Sequence, residues 1–463
     1  MSPLAIFFVL LNVVALLALP RRWAPIPFLI GACYMTLTQH VDLGPFSFTT
    51  IRLLIAAGVV RVVMRGERLV GGLNGMDRIM LIWAGWAIFS SVFHTTTSEG
   101  NPLTFRLGLV YNVLGIYFLF RVFLQSVDDV IHLAKVAACV LVPVALEMVQ
   151  EHATKRNLFS VFGGVPGFSW IREGKLRAQG PFAHPILAGT VGAVCLPMMV
   201  GLYRLHARTA LIGGLACLSM VFASGSSGPL MSLFFGVGAL GLWRWRHLSR
   251  QMRIAAVLGY IMLELVMAAP AYYIIARINI IGSSTGWHRA RLIEMGIAHI
   301  NEWWLAGTDY TRHWMPTGVS WSPDHTDITN YYLKMGVIGG LPLMGLLIAA
   351  LLLGFQYIGQ SLRLSEKESW EQRFMIWSVG AALLSHVATC ISVSYFDQSY
   401  IFLFVNLALI GSLRSAILLQ EVVTEENENR EEDEDEPGRD PQSEVGARPF
   451  GIPSDGVAGF RFG

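Results

Sequence analysis

The chain has 463 residues, 54% of them hydrophobic and only 14% charged, with a mean hydropathy of +0.52. That balance excludes a soluble protein of several domains and marks an integral membrane protein. The near-neutral net charge of +2 hides a segregation: residues 421–463 hold thirteen acids and four arginines, leaving 30 basic and 19 acidic residues in the body.

Apolar runs that can cross or nearly cross a hydrocarbon core about 30 Å thick fall at residues 3–19, 24–40, 49–65, 77–94, 104–124, 127–149, 185–203, 209–223, 228–243, 254–276, 336–358, 372–394 and 399–419. They predict an all-α, polytopic helical membrane protein with 12–13 transmembrane helices over residues 1–420. A closed barrel needs strands of alternating polarity, and these runs have no period of two. The first run has neither a basic flank nor a small-residue cleavage site before it, so it is expected to stay as a helix. Arg52, Arg106, Arg121 and Asp129 fall near span ends, where their side chains are expected to reach the interface.

Basic clusters occur at Arg21 and Arg22; Arg61, Arg65 and Arg68; Arg204 and Arg208; Arg244 to Arg253; and Arg363 to Arg373. With the spans above, all five share one side, which the positive-inside rule makes the cytoplasm. Two long loops, 150–184 and 277–335, then face outward, and the second is expected to be partly helical, with a short amphipathic helix at Met295 to Trp304. Trp303, Trp304, Trp314 and Trp321 read as an interfacial belt. Glycine-containing runs at Leu211–Ala216 and Gly236–Gly241 provide small faces for close helix packing. Ala223 to Leu230 reads as a turn or a helix break. The five cysteines fall inside predicted spans with no paired spacing, which suits packing and not a disulfide or zinc framework. The acidic segment 421–463 is expected to be a disordered tail on the cytoplasmic side.

Three outward segments carry the chemistry: Arg172 to Pro185, Trp287 to Arg291, and Trp321 to Gly340, where Asp324, His325, Asp327 and Asn330 crowd ahead of an apolar helix. Outward basic residues run against the positive-inside trend; an anionic ligand at the outer surface accounts for them, as does contact with lipid phosphates. A metal site at Asp324, His325 and Asp327 needs a fourth ligand from elsewhere, and the sequence offers none.

His325 followed by Gly336 and Gly339, with Arg177-x-x-Gly180-x-Phe182-x-x-Pro185 and His288-Arg289 upstream, resembles the O-antigen ligase and polymerase family of bacterial envelope enzymes. The similarity spans about residues 100–415. Thr326 stands where that family often has Asn, Ser or Gln, and the turn Ser224 to Gly228 lacks the family's Arg. The run Asp327 to Tyr331 and the stretch Ser394 to Gln398 are closest to exopolysaccharide-type members.

The resemblance implies metal-independent glycosyl transfer, without a cofactor, from a polyprenyl-diphosphate-linked glycan to a glycan or lipid acceptor hydroxyl. The reaction is expected at the periplasmic face of a bacterial inner membrane. His325 is then the base, because an imidazole serves unaided near neutral pH. Arg177 and Arg289, with Arg172 and Arg291 in reserve, bind the diphosphate; Asp327 or Asn330 orients the His325 ring or the sugar. Membrane lipids are expected partners and nucleic acid is not; the sequence assigns no oligomeric state. The alternative is a transporter or flippase of lipid-linked glycans, against which stand the absence of an internal repeat and the placement of the ionisable residues in loops.

Overall fold

The computed structural model describes residues 1–435 apart from 97–99, 173, 278–285 and 321. In chain order the elements are α1 (Pro3–Ala18), α2 (Pro25–Tyr34), β1 (His40–Leu43), β2 (Phe46–Thr49), α3 (Thr50–Arg65), α4 (Gly75–Ser90), α5 (Pro102–Phe123) and α6 (Val127–Thr154). There follow β3 (Trp170–Arg172), β4 (Lys175–Arg177), α7 (Pro185–Gly201), α8 (Ala207–Ala223), α9 (Ser227–Gly241), α10 (Ser249–Val266), α11 (Ile274–Arg277), α12 (Gly286–Ala298) and α13 (Ile300–Trp303). The last are α14 (Tyr331–Leu364), α15 (Trp370–Ser392) and α16 (Tyr400–Asp435). Every one of the predicted apolar runs overlaps a helix, and the fold is an all-α polytopic membrane protein. Among the described residues, six helical segments are long and apolar enough to cross a bilayer: Gly75–Phe93, Pro102–Phe123, Val127–Thr154, Tyr331–Leu364, Trp370–Ser392 and Tyr400–Thr424. Three shorter apolar helices are α1, α7 and α8.

The run at 24–40 departs from its expectation as one span. α2 stops at Tyr34, and polar Thr36, Thr38 and Gln39 lead into an antiparallel hairpin with His40 opposite Thr49. Gly44, at φ +62°, makes the turn ahead of Pro45.

α7 forms the axis of the body, packed by α6, α8, α9 and α15, with nearly all of its side chains buried. Its approach to α8 is close because Gly192 has no Cβ; one would stand 2.5 Å from the Cys217 carbonyl oxygen. Gly213 of the predicted small face likewise meets Ala138 of α6, where an added Cβ would stand 2.6 Å away. All five cysteines are free, and all but Cys139 are buried. Outward-facing Phe7, Val63, Phe234 and Leu352 are more than half exposed, an apolar surface suited to lipid and not to water.

The body comprises Met1–Leu419 and a second unit Gln420–Gly463. α16 continues to Asp435, so Glu421 to Asp435 is helical where a disordered tail is expected; Glu and Arg propagate an established helix at little cost. The rest of that tail, 436–463, lies outside the described residues.

Candidate functional site

The site is built where α14 begins and then breaks. Asn330 caps the helix, its Oδ1 accepting the Leu333 N–H at 3.0 Å. About two and a half turns further on, Gly339 (φ −153°, ψ 24°) and Gly340 (φ 75°, ψ −175°) leave helical geometry. In an apolar setting the carbonyls so released need donors. Thr308 N donates to Val337 O at 2.9 Å, Arg106 Nη2 to Ile338 O at 2.5 Å and Trp86 Nε1 to Gly339 O at 2.7 Å. On the far side of the break, Leu341 N donates to Trp304 O at 2.8 Å. The segment 304–308 is thereby stitched to the break. Added Cβ atoms would forbid it: one on Gly307 (φ +96°) would stand 2.1 Å from Val337 O, and one on Gly340 2.2 Å from Leu305 O. Arg106 is 4% exposed. It does not reach for the interface as expected, and serves this break instead.

The stitched segment positions the histidine. Thr311 N and Arg312 N both donate to Asp324 O, at 2.9 and 3.0 Å, and Asp327 N donates to Val319 O at 2.9 Å. Thr311 Oγ1 lies 3.0 Å from His325 Nδ1 and accepts the Thr326 N–H at 3.2 Å. His325 lines a cavity of about 380 Å³ together with Asp327, Lys334, His94, Asp309 and Arg106. An adjoining cavity of about 520 Å³ shares Lys334 and Phe396 with it, and both fall in the range of small-molecule sites. His94 and Asp309 form a short contact through Nδ1, and His94 Nε2 lies 2.8 Å from Ala306 O. Burial pushes the Asp309 carboxyl up, but the Thr95 amide and His94 outweigh it and hold it below the usual range.

The arginines arrive from the other two segments. Buried Glu151 accepts the Gln179 and Gly180 amides at 3.0 and 2.9 Å and the Ser169 hydroxyl at 2.9 Å, which fixes the loop around the β3–β4 hairpin. From that hairpin Arg177 reaches the turn after α8, donating to Ser224 O at 3.4 Å and Ser226 Oγ at 2.6 Å. The stretch Ala223 to Leu230 is therefore a turn that holds Arg177. On α12, His288 Nε2 donates to Asp327 O at 3.1 Å, tying that helix to the His325 segment. Arg289, next in line, is 7% exposed, and its Nε is buried without a hydrogen-bond partner among the described residues. Burial and then the neighbouring Arg172 and Arg177 bring it down to about 10, against the pull of Asp327. Arg177 is lowered by burial and by Arg172. Asp327 is raised by burial, with His288, Lys334 and Arg289 opposing. Arg172, Arg177 and Arg289 thus form one cationic group that adjoins the cavity through Asp327.

No family model matches the chain, and no curated protein matches it.

Arg172, Arg177, Arg289, Asp327 and His325 are brought together at one end of the helices. Arg291 is not: two residues on from Arg289, it points about 200° away around α12 and pairs with Glu294 at 2.5 Å. Asn330 has its oxygen committed to the helix cap. Asp324, offered with His325 and Asp327 as a metal group, contributes its carbonyl to the Thr311 and Arg312 amides. His184 caps α7, accepting the Ile186 N–H at 3.1 Å; burial and then Arg177 and Arg172 hold it down to about 4. Asp397 accepts the Ala183 and Ser399 amides at 2.9 and 2.8 Å, and Gln398 donates to Met35 O and Pro181 O, so these two brace the turn before α7. Trp303 and Trp314 are core residues, 4% and 2% exposed, not a belt; Trp321 lies outside the described residues. His94, Asp309, Arg106 and Thr311 were not legible as site residues. The one local signal is the run Gly307-Thr-Asp-Tyr310 beside a glycine turn.

Proposed function

We propose that this chain transfers a glycan from a polyprenyl-diphosphate carrier to an acceptor hydroxyl at the outer face of a bacterial inner membrane, as an O-antigen ligase-like enzyme or an exopolysaccharide polymerase. The observation that carries the reading is Arg289: a buried cation whose Nε has no hydrogen-bond partner among the described residues and whose charge Arg172 and Arg177 oppose. Three guanidinium groups repelling one another are costly in the protein alone and become favourable around a dianionic leaving group.

In this reaction the Nδ1–H of His325 donates to Thr311 Oγ1, 3.0 Å away, which directs the Nε2 lone pair to the acceptor hydroxyl. As the acceptor oxygen attacks the anomeric carbon, its proton passes to Nε2 and the bond from that carbon to the phosphate oxygen breaks. The charge gathering on the leaving diphosphate is met by Arg177, Arg289 and Arg172. Asp327, which lines the same cavity as His325 and interacts electrostatically with Arg289, is the anion available to the imidazolium so formed. The chemistry routes no step through a metal. Transport of the same lipid is the alternative; the sequence has no internal repeat, and the ionisable cluster lies in loops and not at mid-membrane.

The test supplies the purified protein in lipid discs with a polyprenyl-diphosphate glycan and an acceptor, and follows glycan length. His325→Ala is expected to lose about two orders of magnitude in turnover while still binding the donor. Turnover equal to the parent removes His325 as the base. A protein that moves donor between leaflets of a vesicle without joining glycans is a transporter.

A further inference from the structure

On the surface of the loop that carries Thr311, three side chains from separate turns converge. His299 lies between α12 and α13, Glu302 on α13, and His313 eleven residues later. One imidazole nitrogen from each histidine and a Glu302 oxygen all lie within 4.8 Å of one another. His299 Nδ1 is 2.8 Å from Glu302 Oε1, and His313 Nε2 is 2.9 Å from Oε2. The rings and carboxylate are held from behind. Trp314, buried in a small core with Leu292, Trp303 and Ile328, donates its indole N–H to Glu302 Oε2 at 3.1 Å. His299 stacks on Trp314 with centroids 5.9 Å apart, and His313 stacks on Tyr310 at 5.2 Å.

We infer that His299, Glu302 and His313 bind a divalent transition-metal ion, Zn²⁺ by the class of its ligands. Two imidazole nitrogens and one carboxylate oxygen are a three-ligand zinc set with one position open, and the outward flank of this trio faces solvent, each side chain being 29–38% exposed. A tetrahedral shell with bonds of 2.0–2.1 Å has edges of about 3.3 Å, so the two histidine-to-carboxylate spacings need to open by a few tenths of an ångström, while the imidazole nitrogens, within 4.8 Å of each other, adjust to the same edge. The Trp314 indole bond supplies the outer contact that orients a ligating carboxylate. An ion here closes the segment 303–312 into a loop, and that segment carries both Asp309 and Thr311, the partners of His94 and His325. The ion is a clasp on the scaffold of the cavity, away from the reacting atoms. The inference does not depend on the transfer reaction.

The experiment uses the full chain without a histidine tag, stripped with a chelator and dialysed. Zn²⁺ is titrated by calorimetry, Co²⁺ by its visible absorption, and thermal unfolding is followed with and without Zn²⁺. The expected result is saturation at one equivalent, a tetrahedral Co²⁺ spectrum and a rise in unfolding temperature with Zn²⁺. His299→Gln and His313→Gln are each expected to weaken binding by about tenfold or more. The lack of a saturable equivalent, or affinity unchanged in both variants, overturns the site and leaves a hydrogen-bonded cluster only. The wild-type Co²⁺ spectrum decides independently of any variant: no tetrahedral band, no site.

Discussion

At Arg289, stability and binding are expected to pull in opposite directions. A guanidinium that is 7% exposed, whose Nε has no partner among the described residues and on which Arg172 and Arg177 outweigh the pull of Asp327, has lost water without full compensation from protein charge. Arg289→Met keeps the stem and removes the charge. Thermal unfolding in detergent is expected to show a gain of about 1 kcal/mol or more, while the Kd for a polyprenyl diphosphate rises by roughly thirtyfold, about 2 kcal/mol. A residue that merely anchors to head groups gives neither change. Parallel losses in both measurements sink the assignment. The sequence ranks Arg289 ahead of Arg291 only through the His288-Arg289 pair, and the helical phase of α12 gives the physical reason for separating them. His325 was legible because it precedes a helix in a polar run; Thr311 was not, because a lone threonine fourteen positions upstream has no pattern to mark it.

The element that decides the site is the discontinuous α14, and its two glycine environments make opposite predictions. Gly340 occupies φ 75°, ψ −175°, a region essentially reserved for glycine, and an added Cβ would strike Leu305 O. Gly340→Ala is expected to destabilise the protein on the order of 2–4 kcal/mol and to release the segment 304–308. Gly345→Ala, five residues along the same helix where nothing lies within 4 Å, is expected to add up to about 1 kcal/mol through helix propensity. Unfolding temperatures of the pair in one detergent check both; equal shifts deny the break its structural role. The sequence displays the glycines but not what they admit. The contact that closes the break joins Arg106 to a carbonyl 232 residues away, and separations of that kind leave no periodicity. The same limit hides the β1–β2 hairpin, whose alternating residues are absorbed into a hydropathy window that reports the mean and not the phase.

Across the whole body, the two ends of the helices have different chemistry. Arg21 pairs with Asp129 at 3.2 Å, joining the turn after α1 to the start of α6, and Arg204 lies over the Trp370 ring at 5.1 Å, joining the turn after α7 to the start of α15; the hydropathy and charge patterns predict that the basic short loops share one end. At the other end are the cavity, the three clustered arginines and His325. The positive-inside rule predicts a cytoplasmic basic end, and on that proposal the donor is met at the opposite face. Single cysteines decide this. In a Cys139→Ala background, which removes the exposed native thiol, Leu158→Cys reports the cavity end and Glu366→Cys the basic end. Leu158 is 60% exposed, and Glu366 sits in the exposed turn between α14 and α15. A membrane-impermeant maleimide applied to cells with a permeable outer envelope is expected to label Leu158→Cys and to spare Glu366→Cys until the inner membrane is lysed. The reverse pattern puts His325 and the arginines in the cytoplasm. There they face no carrier-linked glycan awaiting transfer at the outer leaflet, and the proposed reaction fails however well the site itself is built.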